Sequence, residues 1–364
     1  MLAVLRQAVE LESPSDNKAA VDRCGKYLAR EFERLGCKTT MYPQRDRGDH
    51  LKAEFPGRAG AKPVLLLGHF DTVWPMGTLA TMPFRVENDR AFGPGVLDMK
   101  SGIVMMMFAL RALRGANPGE HPPVTVLLDT DEEVGSTTSR ALVETTAREC
   151  SAVLVLEPAQ GADGRLKTSR KGVGGFTIRV RGRASHAGVD FQKGHSAIAE
   201  LARQILEVVK FTDLDRGITV NLGVIGGGTR TNVVAAEAWV EVDVRVERAA
   251  DADELKRRFA ALRAVDPGCS LEVAGGMNRP PMERTAETVR LFHIAQAQAK
   301  KIALQLGESA TGGGSDGNFT SALGIPTLDG LGAVGEGAHA NHESVLLAEL
   351  PKRTALLASL IGSL

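Results

Sequence analysis

Short, wholly or nearly apolar runs alternate along the chain with segments whose apolar residues fall at helical spacing. Val64–Leu67, Val124–Leu128 and Ala152–Leu156 are runs of the first kind. They predict strands buried on both faces, as in a parallel sheet. Gly68 ends the first run, and each run is followed by polar or acidic residues at what would be one rim of the sheet. Residues 1–35 predict two helices broken at Ser13–Asp16. The second, Lys18 to Leu35, carries Val21, Leu28, Phe32 and Leu35 on one face and stops at Gly36. Ile103–Leu113 predicts a buried helix, with Met105–Met107 as core packing. Lys38–Tyr42 and Leu51–Phe55 predict short strands. The connection through Pro75, Gly77 and Pro83 to Phe92–Ile103 predicts an irregular loop folded around something.

From about Gly172 the pattern becomes half-exposed. Phe176–Arg181, Val220–Ile225, Trp239–Val246 and Leu271–Val273 predict a largely antiparallel sheet, with helices at Ser196–Phe211 and Ala252–Val265. After Pro280-Pro281 the α/β texture returns, with a helix from Thr285 to about Gln305 and a strand at Ile325–Leu328. The fold class is α/β: a mixed, mainly parallel sheet flanked by helices in residues 1–172 and 281–364, interrupted by a smaller α+β domain at 173–280.

A length of 364 residues suits two cores. Acidic and basic residues balance at 44 each and aromatics are 4%, which argues against nucleic acid as a partner. Cys24, Cys37, Cys150 and Cys269 lack the spacing of a thiolate metal site or a disulfide framework, so free thiols are expected. With no signal-peptide order and no apolar run of membrane length, the expectation is a cytoplasmic chain with no membrane partner.

The rim residues change the picture. His69 and Asp71, two apart on extended backbone, leave the first strand on the same side, where open α/β sheets place their ligand sites. By itself the pair is either a metal ligand held by its carboxylate or a solvated loop end. Asp98, Glu132, Glu133, Glu157 and His339 join it at strand ends or in glycine-rich segments. Converging carboxylates repel one another, and one or two divalent cations offset that charge. Imidazole and carboxylate without thiolate suit zinc, with cobalt and manganese as alternatives. Glu132 and Glu133 are adjacent, so one is a ligand candidate and the other a candidate general base. An Asp-Glu-Glu triplet taken alone reads first as the acidic N-terminus of a helix.

The ordered segments H69-F-D71, G95-V-L-D98-M-K-S-G, D131-E-E-V-G, L156-E-P, S185-H-A-G, G312-G-G-S-D-G and A338-H-A-N-H-E343 resemble the co-catalytic di-zinc aminoacylase and carboxypeptidase superfamily. H-F-D-T-V-W-P-x-G-T and L-E-P-A look most like its bacterial glutamate carboxypeptidase branch. The resemblance implies that Asp98 bridges two metals. His69 and Glu157 would complete one site, Glu133 and His339 the other, with His342 a rival for the last position. Asp71 would orient His69, and Glu132 would be the general base. The Asp98-Met99 peptide bond would be cis.

In the inserted domain, His186 would stabilise the oxyanion, often from the partner subunit of a homodimer formed through that domain. Asn232 and Arg245 would hold the substrate carboxylate, as would the backbone amides of the turn containing Gly313 and Gly314; read alone, Arg245 is a surface strand residue. Arg279, at the domain junction, is a further candidate because a planar guanidinium suits bidentate carboxylate binding. The activity implied is hydrolysis of an amide next to a free α-carboxylate, on a small peptide or N-acyl amino acid. Release of a C-terminal amino acid such as glutamate leads, with an N-acyl amino acid deacylase or dipeptidase as the alternative. Two other classes remain: a binding protein on this scaffold, and a nucleotide-dependent enzyme using the glycine turns. The complete ligand-and-base set opposes the first and the missing P-loop lysine the second.

Overall fold

The computed structural model describes residues 1–116 and 119–364. They divide into two units: Met1–Ser169 with Arg284–Thr311 and Ser315–Leu364, and Arg170–Glu283 with Gly312–Gly314.

The first unit is built on a six-stranded sheet in the order Lys38–Tyr42, His50–Phe55, Val124–Asp129, Val64–His69, Ala152–Val155, Thr327–Leu328. His50–Phe55 runs antiparallel to both its neighbours, and the remaining three pairings are parallel. Strict alternation explains why Val64–Leu67 is wholly apolar. Val64 and Leu66 enter one core with Phe32, Met106 and Leu357, while Leu65 and Leu67 enter another with Val143 and Val155. Helices Lys18–Arg34, Ser101–Ala116, Ala286–Lys301 and Glu349–Gly362 contribute to the first core, and Arg140–Arg148 to the second. The parallel register pairs His69 with Asp129 and Leu67 with Val155, so the strands end at a common rim.

Two expectations are corrected. Gly68 does not end its strand, which runs on through His69. The glycine is there because a Cβ would lie 2.4 Å from Met99 Cε and 3.2 Å from Met106 Cε. The long connection is not irregular throughout. Arg85–Glu87 and Arg90–Phe92 form a hairpin that is joined by Ser344–Leu346. Asn88 and Asp89 at its turn have φ of 47° and 61°, the left-handed pair that tight hairpins need.

The second unit is an antiparallel sheet, Thr219–Gly227, Glu237–Val246, Gly172–Arg181, Ser270–Arg279. Its buried face (Phe176, Ile178, Val240, Val242) packs on Leu201 and Phe259 of helices Ala197–Val208 and Ala249–Ala260. Among the described residues no helix is long and apolar enough to cross a membrane.

One buried charge braces the rim. Arg353, 2% exposed in the last helix, donates from Nε to the Gly332 carbonyl, from Nη1 to Gly164 O at 2.8 Å and from Nη2 to Gly330 O at 2.6 Å. Gly332 N–H in turn donates to Glu157 O at 2.9 Å. Burial lowers the Arg353 pKa to about 10, so it stays charged at neutral pH. Arg353→Met strips three carbonyls of a buried donor, and each such loss costs roughly 1–3 kcal/mol. Denaturant unfolding should show a loss of about 3 kcal/mol or more; a variant of wild-type stability would contradict this bracing role.

Candidate metal centre

Within the first unit, each strand end delivers its side chain to one place. His69 closes its strand with its ring buried at 1% exposure. Its Nδ1 lies 3.1 Å from Asp71 O and 3.3 Å from Asp71 Oδ1. Donation from Nδ1–H leaves Nε2 as the atom free to bind. Nε2 lies 3.3 Å from Asp98 Oδ1 and 3.4 Å from Glu157 Oε1. On the other side, His339 Nε2 is 3.4 Å from Asp98 Oδ2 and 3.2 Å from Glu133 Oε2. The two oxygens of Asp98 thus face two different imidazoles. His339, at φ 62°, makes this approach; the rival His342 packs beside Gly337 instead.

The loop after Val124–Asp129 separates the adjacent glutamates. Asp131 O accepts from Val134 and Ser136 N–H, and Asp131 Oδ2 from Thr138 N–H at 2.7 Å. A single 3-10 turn, Glu132–Val134, results, and the next helix begins only at Arg140. The triplet is therefore not the start of a long helix. Ligand-type atoms of His69, Glu132 and Glu157 come within 4.8 Å of one another, as do those of His69, Asp98 and Glu133.

This donor set fits divalent cations. A neutral imidazole lone pair and two carboxylate oxygens aimed at one point repel unless a cation lies between them. Four ligands about 2.0–2.1 Å from zinc stand about 3.3 Å apart along each edge of the tetrahedron, and the four imidazole–carboxylate distances span 3.2–3.4 Å. Glu133 Oε1 is also buried without a hydrogen-bond partner, a state that a cation relieves.

Protons answer the same field. Burial alone would lower the His69 pKa, but the carboxylates of Asp71, Asp98 and Glu157 hold it well above its usual value. Contacts with Asp98 and Glu133 raise His339 to about 10. Burial pushes Asp98 up, yet both imidazoles outweigh it and hold the carboxyl well below the carboxylate range. Burial keeps Glu133 raised.

Sequence reasoning missed several supports. Ser15 Oγ–H donates to Asp71 Oδ2 at 2.7 Å, and Ser13 Oγ–H donates to Phe70 O at 2.6 Å. The Ser-Pro-Ser stretch does more than break the helices: it orients the carboxylate behind His69, and its flanking serines are the signal for that role. The Asp98-Met99 peptide bond is cis.

In the second unit, His186 and Asn232 are exposed on neighbouring segments tied by Ala187 N–H to Asn232 O at 2.9 Å. Arg245 is already engaged: its Nε and Nη2 hold both oxygens of Asp243 at 2.9–3.2 Å, and Nη1 reaches Gly312 O at 3.4 Å. Arg279 is buried, with Nη1 on Asn278 Oδ1 at 3.0 Å and its stem against Gly314. Arg170, which the sequence did not flag, donates to Gly313 O at 3.1 Å and Gly314 O at 3.0 Å. The glycine turn is thus held through its carbonyls by arginines.

A family model described as peptidase family M20/M25/M40 matches residues 65–363. The chain belongs to this family. Carboxypeptidase G2 of Pseudomonas sp. (strain RS-16) is 30% identical over 370 residues, covering 100% of this chain and 89% of that protein. The fold is shared with aminopeptidase PepT from Bacillus cereus ATCC 10987, at TM-score 0.85 and 24% identity, over 99% of this chain and 97% of that one. It is shared too with the YXEP protein of Bacillus subtilis, described as a dinuclear metal-binding peptidase of the M20 family, at TM-score 0.71 and 17% identity, over 100% and 96%. As an M20 metallopeptidase, the chain carries its candidate metal site where the parallel strands end.

The surrounding carboxylates favour the protonated form of both imidazoles, and a proton on Nε2 must leave before that atom can donate to a cation. Metal loading should therefore release protons, and affinity should rise with pH below about 10, the His339 value. Calorimetry in buffers of different ionisation enthalpy measures this; loading without proton release would contradict the ligand set.

Proposed function

We propose that this M20 metallopeptidase is a two-metal carboxypeptidase that hydrolyses the amide bond next to a free α-carboxylate and releases a C-terminal amino acid such as glutamate. The observation that carries the reading is the split of Asp98, with one oxygen toward His69 and Glu157 and the other toward His339 and Glu133. His69, Asp98 and Glu157 would hold one cation, and Asp98, Glu133 and His339 the other, zinc being the best match to the donors. The cations would supply Lewis-acid polarisation and lower the pKa of water.

This chain's own groups do the rest. Asp71, held by Ser15, fixes the His69 tautomer. Glu132 takes a proton from the attacking water and returns it to the amide nitrogen as the C–N bond breaks. His186 donates to the oxyanion as the carbonyl becomes tetrahedral. Arg245, Arg279, Asn232 and the amides of Gly313 and Gly314 are the candidate grips for the substrate carboxylate. Carboxypeptidase G2, as a full-length relative, supports the carboxypeptidase reading over the deacylase and dipeptidase alternatives.

Glu132→Gln should retain bound metal while kcat falls roughly 10²–10⁴-fold, the usual worth of a general base; a variant keeping most of its rate would show Glu132 to be misassigned. A hydrolysis screen of N-acyl and peptidyl amino acids varied at the C-terminal residue tests the substrate. Acidic C-terminal residues should give the highest kcat/KM and C-terminal amides none; equal cleavage of the amides would reject the carboxypeptidase reading.

Association of two chains through the second unit belongs to the same proposal. Its support is the edge strand Thr219–Gly227, where Val224 is 50% and Ile225 63% exposed, an apolar edge that solitary proteins avoid. Light scattering should give a dimer mass for the wild type and a monomer for Ile225→Lys. A wild-type monomer would remove the dimer.

A further inference from the structure

Glu343 lies four residues beyond His339 and is fully buried. Its carboxylate collects four hydrogen bonds. Oε1 accepts from Leu97 N–H at 2.8 Å and Asp98 N–H at 3.0 Å; Oε2 accepts from Gly95 N–H at 3.0 Å and the Trp74 indole N–H at 2.8 Å. Three of these donors are main-chain amides of the segment that delivers Asp98. Gly95, at φ 70°, takes the left-handed conformation that lets such amides converge. A concave set of amides of this kind is an anion nest, and the chain fills it with a carboxylate of its own.

The same residue anchors the other side of the centre. Glu343 N–H donates to Ala340 O and Ala340 N–H to Gly337 O, both at 2.8 Å, which folds the loop carrying His339 back on itself. Gly93 N–H donates to Glu343 O at 3.4 Å, and the next residue, Ser344, pairs with Phe92 in the small sheet. One side chain therefore fastens the segment bearing Asp98 to the segment bearing His339.

We propose that Glu343 is a positioning residue for the two-cation centre. By fixing the Gly95–Asp98 backbone against the His339 loop, it sets the 3.4 Å approach of Asp98 Oδ2 to His339 Nε2 and so shapes the second cation position. This rests on the metal reading given above. The role needs a carboxylate: an amide offers one acceptor oxygen, and its NH₂ would face two N–H donors. Asp, one methylene shorter, cannot span both donor pairs.

Metal titration of the metal-free chain with Zn²⁺, together with amide hydrogen exchange, tests the proposal. The wild type should bind two cations in resolved phases. Glu343→Gln should keep the tighter phase and weaken the other by roughly 10- to 100-fold, as losses behind metal ligands do. Its Leu97 and Asp98 amides should exchange at least about tenfold faster, and kcat should fall with little change in KM. Trp74→Phe, which removes one donor of the four, should move the same phase in the same direction by less. If the Gln variant does not fold, Glu343→Asp is read by the same two measurements.

A wild type with two phases and a Glu343 variant with both phases and amide protection intact would overturn the positioning role and leave the metal reading standing. A wild type that binds no cation would overturn the metal reading itself, and the positioning role with it.

Discussion

The constraint that organises this molecule is mutual repulsion. Two imidazoles and three carboxylates from five distant segments converge, each imidazole 3.2–3.4 Å from two carboxylate oxygens, in a pocket where His69 is closed to water. Nothing in the side chains themselves makes that arrangement favourable. It holds because cations, or protons in their absence, supply the attraction, and because a rigid sheet edge delivers the groups whether or not they attract. The parallel register and the two aliphatic cores behind it keep the ends of three strands at one level, which loops alone would not do against such repulsion.

Much of this was legible locally. The runs at Val64, Val124 and Ala152 announced doubly buried strands because a residue on either face must be apolar. The half-exposed strands after Gly172 announced a sheet covered on one side. The acids and histidines at the strand ends stood out because a divalent cation is the simplest remedy for such a cluster. Short elements were not legible: Arg85–Glu87 and Arg90–Phe92 are three residues each, too few to establish a period, and the Asn88-Asp89 turn was the better clue.

The supports behind the rim were illegible for a different reason. Ser15 meets Asp71 across 56 positions, and Glu343 meets Asp98 across 245. Neither partner betrays the other in any local pattern. Serine beside proline reads as a helix break, and a glutamate in a polar terminal motif reads as solvated. In the second unit the arginines were visible as candidate anion grips, yet Arg245 is locked to Asp243 and Arg170 to the glycine turn. Sequence proposes the chemistry of such a group, and its neighbours decide which atoms remain available.

Gly68 ties the interior to the chemistry. The space left by its missing side chain is filled by Met99, the residue after Asp98, whose sulfur also lies 3.3 Å from His69 N. Repacking the aliphatic interior around that methionine would therefore shift Asp98 from beneath. The interior packing and the position of Asp98 are mechanically linked here through one methionine.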